Sequence, residues 1–392
     1  MAELDSILEN YAASGADTKD KVLGVSFVVV NEKETLYEGS AGRVGLDLRA
    51  APYTPDTFTY VASLTKLLTA TCLLQLVERG QLSLDEDLGA RLPFLSDVQI
   101  LRGFDEDDQP ILEDNHRPIT LWHLLSHTSG LAYDTLSEPL MKWRQSVGRH
   151  RTNTTWTEEG FSTPLLFEPG AQWLYGTGMD WAGQVLEKVT GQTLQEYATA
   201  NVFQVLGMHD STFRPGQSAG ERQARSASFA FRSKDGTLGA GPSPLADEHP
   251  LESGGSGLFT TARDYAKLLQ GLLQGKLLGA EATEMLFRAQ LGPELQKDLM
   301  EKVASMPEGL APEYPVDMPA NFAFGGMLNL EDIPGKRKAG SMMWSGAANS
   351  HWWIDPSTGI AAVMVVTLFP YSDYVANELY LKLETASSLR IG

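Results

Sequence analysis

Val61-Ala62-Ser63-Leu64-Thr65-Lys66-Leu67-Leu68 is the stretch on which the reading of this chain turns. A short polar approach gives way there to a long apolar helical pattern, which runs to Glu78-Arg79 and stops at Gly80, a residue suited to a helix C-cap. Residues three apart share a helix face, so the Lys66 amine reaches the Ser63 hydroxyl within one turn. A serine hydroxyl is a weak nucleophile until a neighbouring base takes its proton, and a buried lysine is one such base. The helix N-terminus adds backbone N–H donors and the positive end of a dipole.

The tetrapeptide alone is unspecific. In a chain with 14 lysines, a serine three residues before one of them is expected about once by chance, and Ser63–Lys66 is the only such pair. Ser63 as an N-cap with Lys66 as a solvated first-turn residue is equally compatible with it, although a cation there opposes the dipole. Companions further along the chain decide between the two.

The bulk numbers set bounds. At 392 residues, with 42% hydrophobic and 21% charged content, the chain can bury a large core, and two packed regions are expected. A net charge of −19 argues against nucleic acid and anionic membranes as partners, because phosphate binding needs a basic patch. Cys72 is the single cysteine, so no intrachain disulfide forms, and its apolar surroundings mark it as a small core residue. No run approaches the apolar length of a membrane span, and the acidic start Met1–Asp5 lacks a signal-peptide pattern, so a reducing cytoplasm is expected.

Residues 3–13 read as an amphipathic helix, and residues 22–30 and 35–39 as a hairpin around Asn31-Glu32-Lys33-Glu34. Helices are expected at 120–127, 180–189, 194–206, 261–272 and 280–287, strands at 323–330, 351–354 and 360–369, and a last helix at 375–386. The acidic segment 103–118 reads as a surface insertion, and the Gly/Pro/Ser-rich segment 214–250 as a long surface loop. Strands at both ends with helices between them predict an α/β (α+β) architecture. Residues 1–62 and 255–392 would build a sheet domain, 63–254 a mostly helical one, with the active site at their interface.

Three further segments accompany Ser63–Lys66. They are Thr120-Leu121-Trp122-His123-Leu124-Leu125-Ser126-His127-Thr128-Ser129-Gly130, Trp173-Leu174-Tyr175-Gly176-Thr177-Gly178, and Trp344-Ser345-Gly346-Ala347 ahead of the late strands. Their order and spacing resemble the class C β-lactamase family of serine hydrolases. That family also contains penicillin-binding proteins, family VIII carboxylesterases and fungal lovastatin-type acyltransferases. The Tyr-Gly-Thr-Gly and Trp-Ser-Gly variants look closest to the esterase and acyltransferase branch.

The resemblance implies a serine β-lactamase-like fold, a central antiparallel sheet flanked by helices. It implies that Ser63 attacks an acyl carbonyl, that Lys66 takes or shares the proton, and that Tyr175 is a second base beside the ammonium. It implies an oxyanion hole from the Ser63 and Ala347 backbone N–H groups, with Gly346 letting the strand approach the substrate. Where the lactamases carry Lys-Thr-Gly, this chain has Trp344-Ser345-Gly346. An indole neither binds a carboxylate as that lysine does nor, on this reading, helps keep the tyrosine ionised. The family's asparagine two residues after the tyrosine is Thr177 here. These departures favour a neutral or apolar acyl group stacked on Trp344, Trp352 or Trp353, with Ser345, Thr177 and Gly255 lining the pocket.

A serine esterase or acyltransferase acting on an ester or thioester is therefore expected. Its acceptor is water or a small alcohol, an acyl carrier is a candidate donor, and no metal or organic cofactor is implied. A β-lactamase or D-amino-acid peptidase is the first rival, and a non-catalytic binding or scaffold relative the second.

Competing motifs read as structural. Gly216-Gln217-Ser218-Ala219-Gly220 matches a nucleophile elbow but lacks the preceding buried strand. His123 and His127 lack companions at metal-ligand spacing, and His351 reads as a strand histidine with a hydrogen-bond partner. The acids at 106–108 and 113–114 lack EF-hand spacing.

Overall fold

β-Branched and aromatic side chains crowd residues 25–30, and such side chains fit a pleated surface. They form strand β1 (Gly24–Asn31), which turns into β2 (Thr35–Gly42). The structure, a computed structural model, describes residues 1–218, 220–245 and 249–391. The far end of the chain supplies β3 (Ala320–Ala323), β4 (Gly326–Asn329), β5 (Met342–Ser345), β6 (His351–Asp355) and β7 (Ile360–Val365). These make one seven-stranded sheet in the order β2-β1-β7-β6-β5-β4-β3. Every neighbouring pair is antiparallel, and Val28 lies opposite Val363 where the two ends of the chain meet.

Strands β6 and β7 are buried at every residue, so both faces of the sheet are covered. The helices that matter for the site are α1 (Ala2–Tyr11), α2 (Thr65–Glu78), α3 (Gly178–Thr190), α4 (Ala262–Leu273) and α5 (Tyr374–Ile391). α1 packs on β2 and α5, while α4 packs on β1 and β7. In α2, every residue from Thr65 to Leu76 is buried, the pattern of a helix enclosed on all sides. It packs on α3 and on the helix Ala280–Phe287. No described helix is long and apolar enough to cross a membrane.

The expected division at 62 and 255 is less sharp than the sequence implied. One contiguous apolar core includes Val28 and Leu383 beside the sheet as well as Leu73 and Leu186 in the helices. Residues 214–250 are not simply a loop. Ala230–Arg232 and Leu238–Ala240 form a hairpin, and Ala230 pairs in parallel with Leu368. This segment therefore belongs with the C-terminal strands. The acidic insertion is a hairpin too, Gln99–Phe104 with Pro110–Asp114. A helix at Pro293–Ser305 had no counterpart in the sequence reading.

α5 is tied to the sheet by charge. Glu384 is wholly buried and meets Arg337 at 2.7 Å and Lys336 at 2.9 Å. Removing one partner of a buried pair strands the other charge in low dielectric, at a cost of about 3–5 kcal/mol. Glu384→Ala is expected to lower unfolding free energy by about that amount in urea titration, while the conserved-shape change Glu384→Gln retains the packing and loses only the charge.

Candidate active site

Ser63 lies in a 3-10 turn, Ala62–Leu64, immediately before α2. It is therefore not a cap: no side chain caps this helix, and Leu64 occupies the N-cap position. The turn is fastened from several sides. Thr65 Oγ1 donates to the Ala62 carbonyl at 2.6 Å and accepts from Leu258 N–H at 3.0 Å, and Tyr265 donates to the Leu64 carbonyl at 2.9 Å. Ala62 is held at φ 47°, a left-handed conformation that a residue with a Cβ adopts only under constraint.

Lys66 is the centre of the site. Its ammonium is fully buried, 0% exposed, and donates to three acceptors: Ser63 Oγ at 3.0 Å, Tyr133 OH at 3.1 Å and the Gly255 carbonyl at 2.8 Å. An ammonium has three N–H bonds, so this set uses them all. Tyr175 OH donates to Ser63 Oγ at 2.8 Å, and its ring lies 4.6 Å from the Lys66 nitrogen. An amine and a phenol from segments 109 residues apart in the chain thus meet at one hydroxyl.

Trp344 touches the catalytic phenol. Its Nε1–H donates to Tyr175 OH at 3.0 Å, and the two rings lie 5.1 Å apart. The indole thus holds the tyrosine by one neutral hydrogen bond. It supplies no charge for a substrate carboxylate. Trp344 is only 3% exposed, Trp353 2% and Trp352 0%, so none of the three offers a face on which an acyl group could stack. Thr177 is fully buried with its hydroxyl unpartnered, which removes it from the pocket wall. Gly255 is buried as well and serves Lys66 instead of substrate. Ser345 Oγ is hydrogen-bonded to Tyr371 OH at 2.9 Å, and that phenol donates to the Leu310 carbonyl at 3.0 Å.

Gly346 is required by the protein itself. A Cβ there would stand 2.5 Å from the Val61 carbonyl oxygen and 3.3 Å from Ala62 Cβ. The end of β5 therefore presses directly on the Ser63 turn, and that contact brings Ala347 alongside. Ala347, next to Gly346, is exposed at this contact. Asn349 secures the turn, donating to the carbonyls of Leu368 at 2.7 Å and Pro370 at 2.8 Å.

Two contributors were not singled out by sequence. Tyr133 is partly exposed and meets the Tyr175 ring edge-on at 5.5 Å. Lost hydration and the nearby Asp180 carboxylate hold its phenol well above the ordinary range, so it stands as a neutral acceptor for Lys66. Asp180, in the first turn of α3, is 1% exposed and accepts from Ser253 Oγ and from Gly255 N–H at 3.1 Å. The available signal was a lone acid inside the apolar run Met179-Asp180-Trp181-Ala182, five residues after Tyr175.

The two histidines at i, i+4 part company. His123 closes a capping box with Thr120, whereas His127, at φ 59°, lies 4.8 Å from the Tyr175 ring with both nitrogens unpartnered. His351 Nδ1 contacts the Asn349 carbonyl at 3.0 Å. The elbow-like motif follows Arg214 and opens with a 3-10 turn, Pro215–Ser218, with no strand leading in; Ala219 lies outside the described residues. A cavity of about 330 Å³ between Gln195, Phe203, Met208 and Arg214 shares no residue with the Ser63 cluster, and Arg214 and Arg222 are already held by Glu252 and Asp210.

A serine activated by a buried ammonium and a phenol, against the end of an interior strand of an antiparallel sheet, defines a β-lactamase-like serine hydrolase site. Comparison with known proteins agrees. The β-lactamase family model matches residues 4–387. The chain is 37% identical over 324 residues to the lovastatin esterase of Penicillium rubens, covering 80% of each. It is 34% identical over 345 residues to the ML-236A carboxylate methylbutanoyltransferase mlcH of Penicillium citrinum, covering 86% of this chain and 82% of that one. Unliganded simvastatin synthase (LovD) of Aspergillus terreus superposes with a TM-score of 0.89 at 29% identity, covering 99% of this chain and 98% of that one. The chain belongs to the β-lactamase family, in its branch of serine esterases and acyltransferases.

Two outcomes follow from this geometry. Trp344→Phe keeps the ring and removes the donor, and a hydrogen bond to a charged group contributes about 1.5–3 kcal/mol, so kcat/KM on an aryl ester should fall roughly ten- to hundredfold with Tm little changed. Burial pushes His123 down to about 4 and His127 well below its ordinary 6.5. The unfolded chain then binds protons that the folded one does not, so their contribution is present above pH 6.5 and is lost on acidification towards pH 4. Urea titrations across that range should show stability falling with pH, less steeply in His123→Gln.

Proposed function

We propose that this enzyme transfers a short acyl group from an ester or thioester through a covalent intermediate on Ser63. The observation that carries the reading is the pair of hydrogen bonds converging on Ser63 Oγ, from Lys66 at 3.0 Å and Tyr175 at 2.8 Å. Lys66 already donates three hydrogen bonds, so it serves as a fixed ammonium and Tyr175 as the proton carrier. With Tyr175 ionised, Ser63 passes its proton across the 2.8 Å contact and attacks the acyl carbon. The tetrahedral oxyanion is held by the Ser63 and Ala347 N–H groups. Tyr175 returns the proton to the departing alkoxide or thiolate, leaving the acyl-enzyme. An alcohol or water then gives its proton to Tyr175 and attacks the acyl carbon, and Tyr175 returns that proton to Ser63 Oγ as the acyl bond to Ser63 breaks. Lys66 and the Trp344 N–H stabilise the phenolate in both halves.

Relatives that move methylbutanoyl groups onto ML-236A carboxylate or monacolin J acid, and one that cleaves lovastatin, support a short branched acyl group and a small hydroxylated acceptor. A thioester on an acyl carrier fits the same chemistry as donor. The absence of a cation at Trp344 disfavours the carboxylate of a β-lactam antibiotic. Cys72 is buried with its thiol pushed up to about 12, which suits an unreactive core residue in a reducing compartment.

A fluorophosphonate probe should label the wild type and not Ser63→Ala; equal labelling of both places the nucleophile elsewhere. Tyr175→Phe should slow turnover of p-nitrophenyl butyrate by roughly 10²- to 10⁴-fold with folding intact, and near-normal rates would remove Tyr175 from the mechanism. Added alcohols should divert acyl groups into new esters, whereas faster turnover of a chromogenic cephalosporin than of aryl esters would favour the lactamase reading.

A further inference from the structure

Lys66 carries its charge in an unusual setting. All three of its hydrogen-bond acceptors are neutral, and it has no exposure to water. A buried ammonium without a compensating anion is strongly disfavoured. Asp180 is the acid placed to compensate it. The two are joined through one residue: Gly255 gives its N–H to Asp180 Oδ1 at 3.1 Å and its carbonyl to Lys66 at 2.8 Å. Gly255 has no side chain to give, since a Cβ would stand 2.7 Å from Asp180 Oδ2. That second oxygen is buried and has no hydrogen-bond partner, so its charge is spent on the field of the site and not on a local contact. Ser253 Oγ supplies the other donor to Oδ1.

We infer that Asp180 is the counter-ion of Lys66, a positioning residue that holds the ammonium in place by acting through Gly255. The inference rests on the proposed Ser63–Lys66–Tyr175 chemistry. The other groups facing Lys66 do not fill this role. His127, just after the helix Leu121–Leu125, is driven neutral by burial and by the Lys66 charge. Tyr133 and Tyr60, the latter beside Ser256, are held as neutral phenols chiefly by burial. Tyr175 is an anion only until it takes the proton that Ser63 gives, so it does not balance Lys66 throughout turnover. Burial is the larger influence on Asp180 and raises its carboxyl above the ordinary range, while Lys66, Ser253 and Gly255 pull it back down.

The test is the pH dependence of kcat/KM for p-nitrophenyl butyrate, which reports ionisations of the free enzyme. Asp180→Asn keeps the shape and an acceptor for Ser253 and Gly255 but removes the anion. Without that anion the alkaline limb should move down by about one unit or more, with far-UV circular dichroism unchanged. A purely structural role would reduce stability or amplitude and leave that limb in place. Ser253→Ala leaves the carboxylate and removes one donor to it, so Asp180 is protonated more easily and the acid limb should move up. This second variant is decisive if Asp180→Asn does not fold. A folded Asp180→Asn with an unmoved alkaline limb, or Ser253→Ala with an unmoved acid limb, overturns the inference. Continued labelling of Ser63→Ala by a fluorophosphonate would instead overturn the reading of the nucleophile, so the two failures are distinguishable.

Discussion

A single ammonium, shut away from water at the start of α2, organises this molecule's chemistry. Lys66 binds the hydroxyl of its own helical turn, a phenol from residue 133 and a carbonyl from residue 255, so three distant segments share one fixed point. Much of the surrounding architecture reads as what such a burial demands. α2 is enclosed along its length, the Ser63 turn is locked by Thr65 and Tyr265, and β5 ends against Val61 with only a glycine's clearance. In a low-dielectric setting each of these dipoles acts with more force than it would in water, and none needs to reorganise during reaction.

The walls around that charge are aromatic. Tyr133, Tyr175, His127, Trp173, Phe322 and Trp344 meet mainly edge-on or tilted, with centroids 4.8–6.2 Å apart. This packing makes the replacement of a lactamase lysine by Trp344 intelligible. The indole fills the volume, keeps one N–H donor on the phenolic oxygen, and gives up the positive charge that would draw a substrate carboxylate.

Much of this was legible in the sequence, for physical reasons that differ by element. The β-branched run at 25–30 and the leucine-rich α2 announce themselves through local composition, and they appear where expected. The meeting of Ser63, Lys66 and Tyr175 could be anticipated because nucleophile and base chemistry is tied to residue type and, for Tyr175, to the glycines at 176 and 178. The hairpin at 230–240 escaped because its stabilising partner, Leu368, lies more than a hundred residues away. Trp344, Trp352 and Thr177 were given to the substrate because burial is a tertiary property that a tetrapeptide does not encode. Gly346 was recognised as a point of close approach, but what approaches is the Val61 carbonyl and not the ligand.

Relatives in this branch include both a lovastatin esterase and methylbutanoyltransferases, and the arrangement around Ser63 serves either outcome, since both pass through the same covalent species. That species is the most direct test. Rapid acid quench during the first turnover of an aryl ester, followed by intact-mass measurement and peptide mapping, should place one acyl group on the peptide containing Ser63. In Lys66→Met the same adduct should fail to accumulate. An acyl group mapped to another residue, or formed on Ser63 at the wild-type rate without the Lys66 ammonium, would contradict the account.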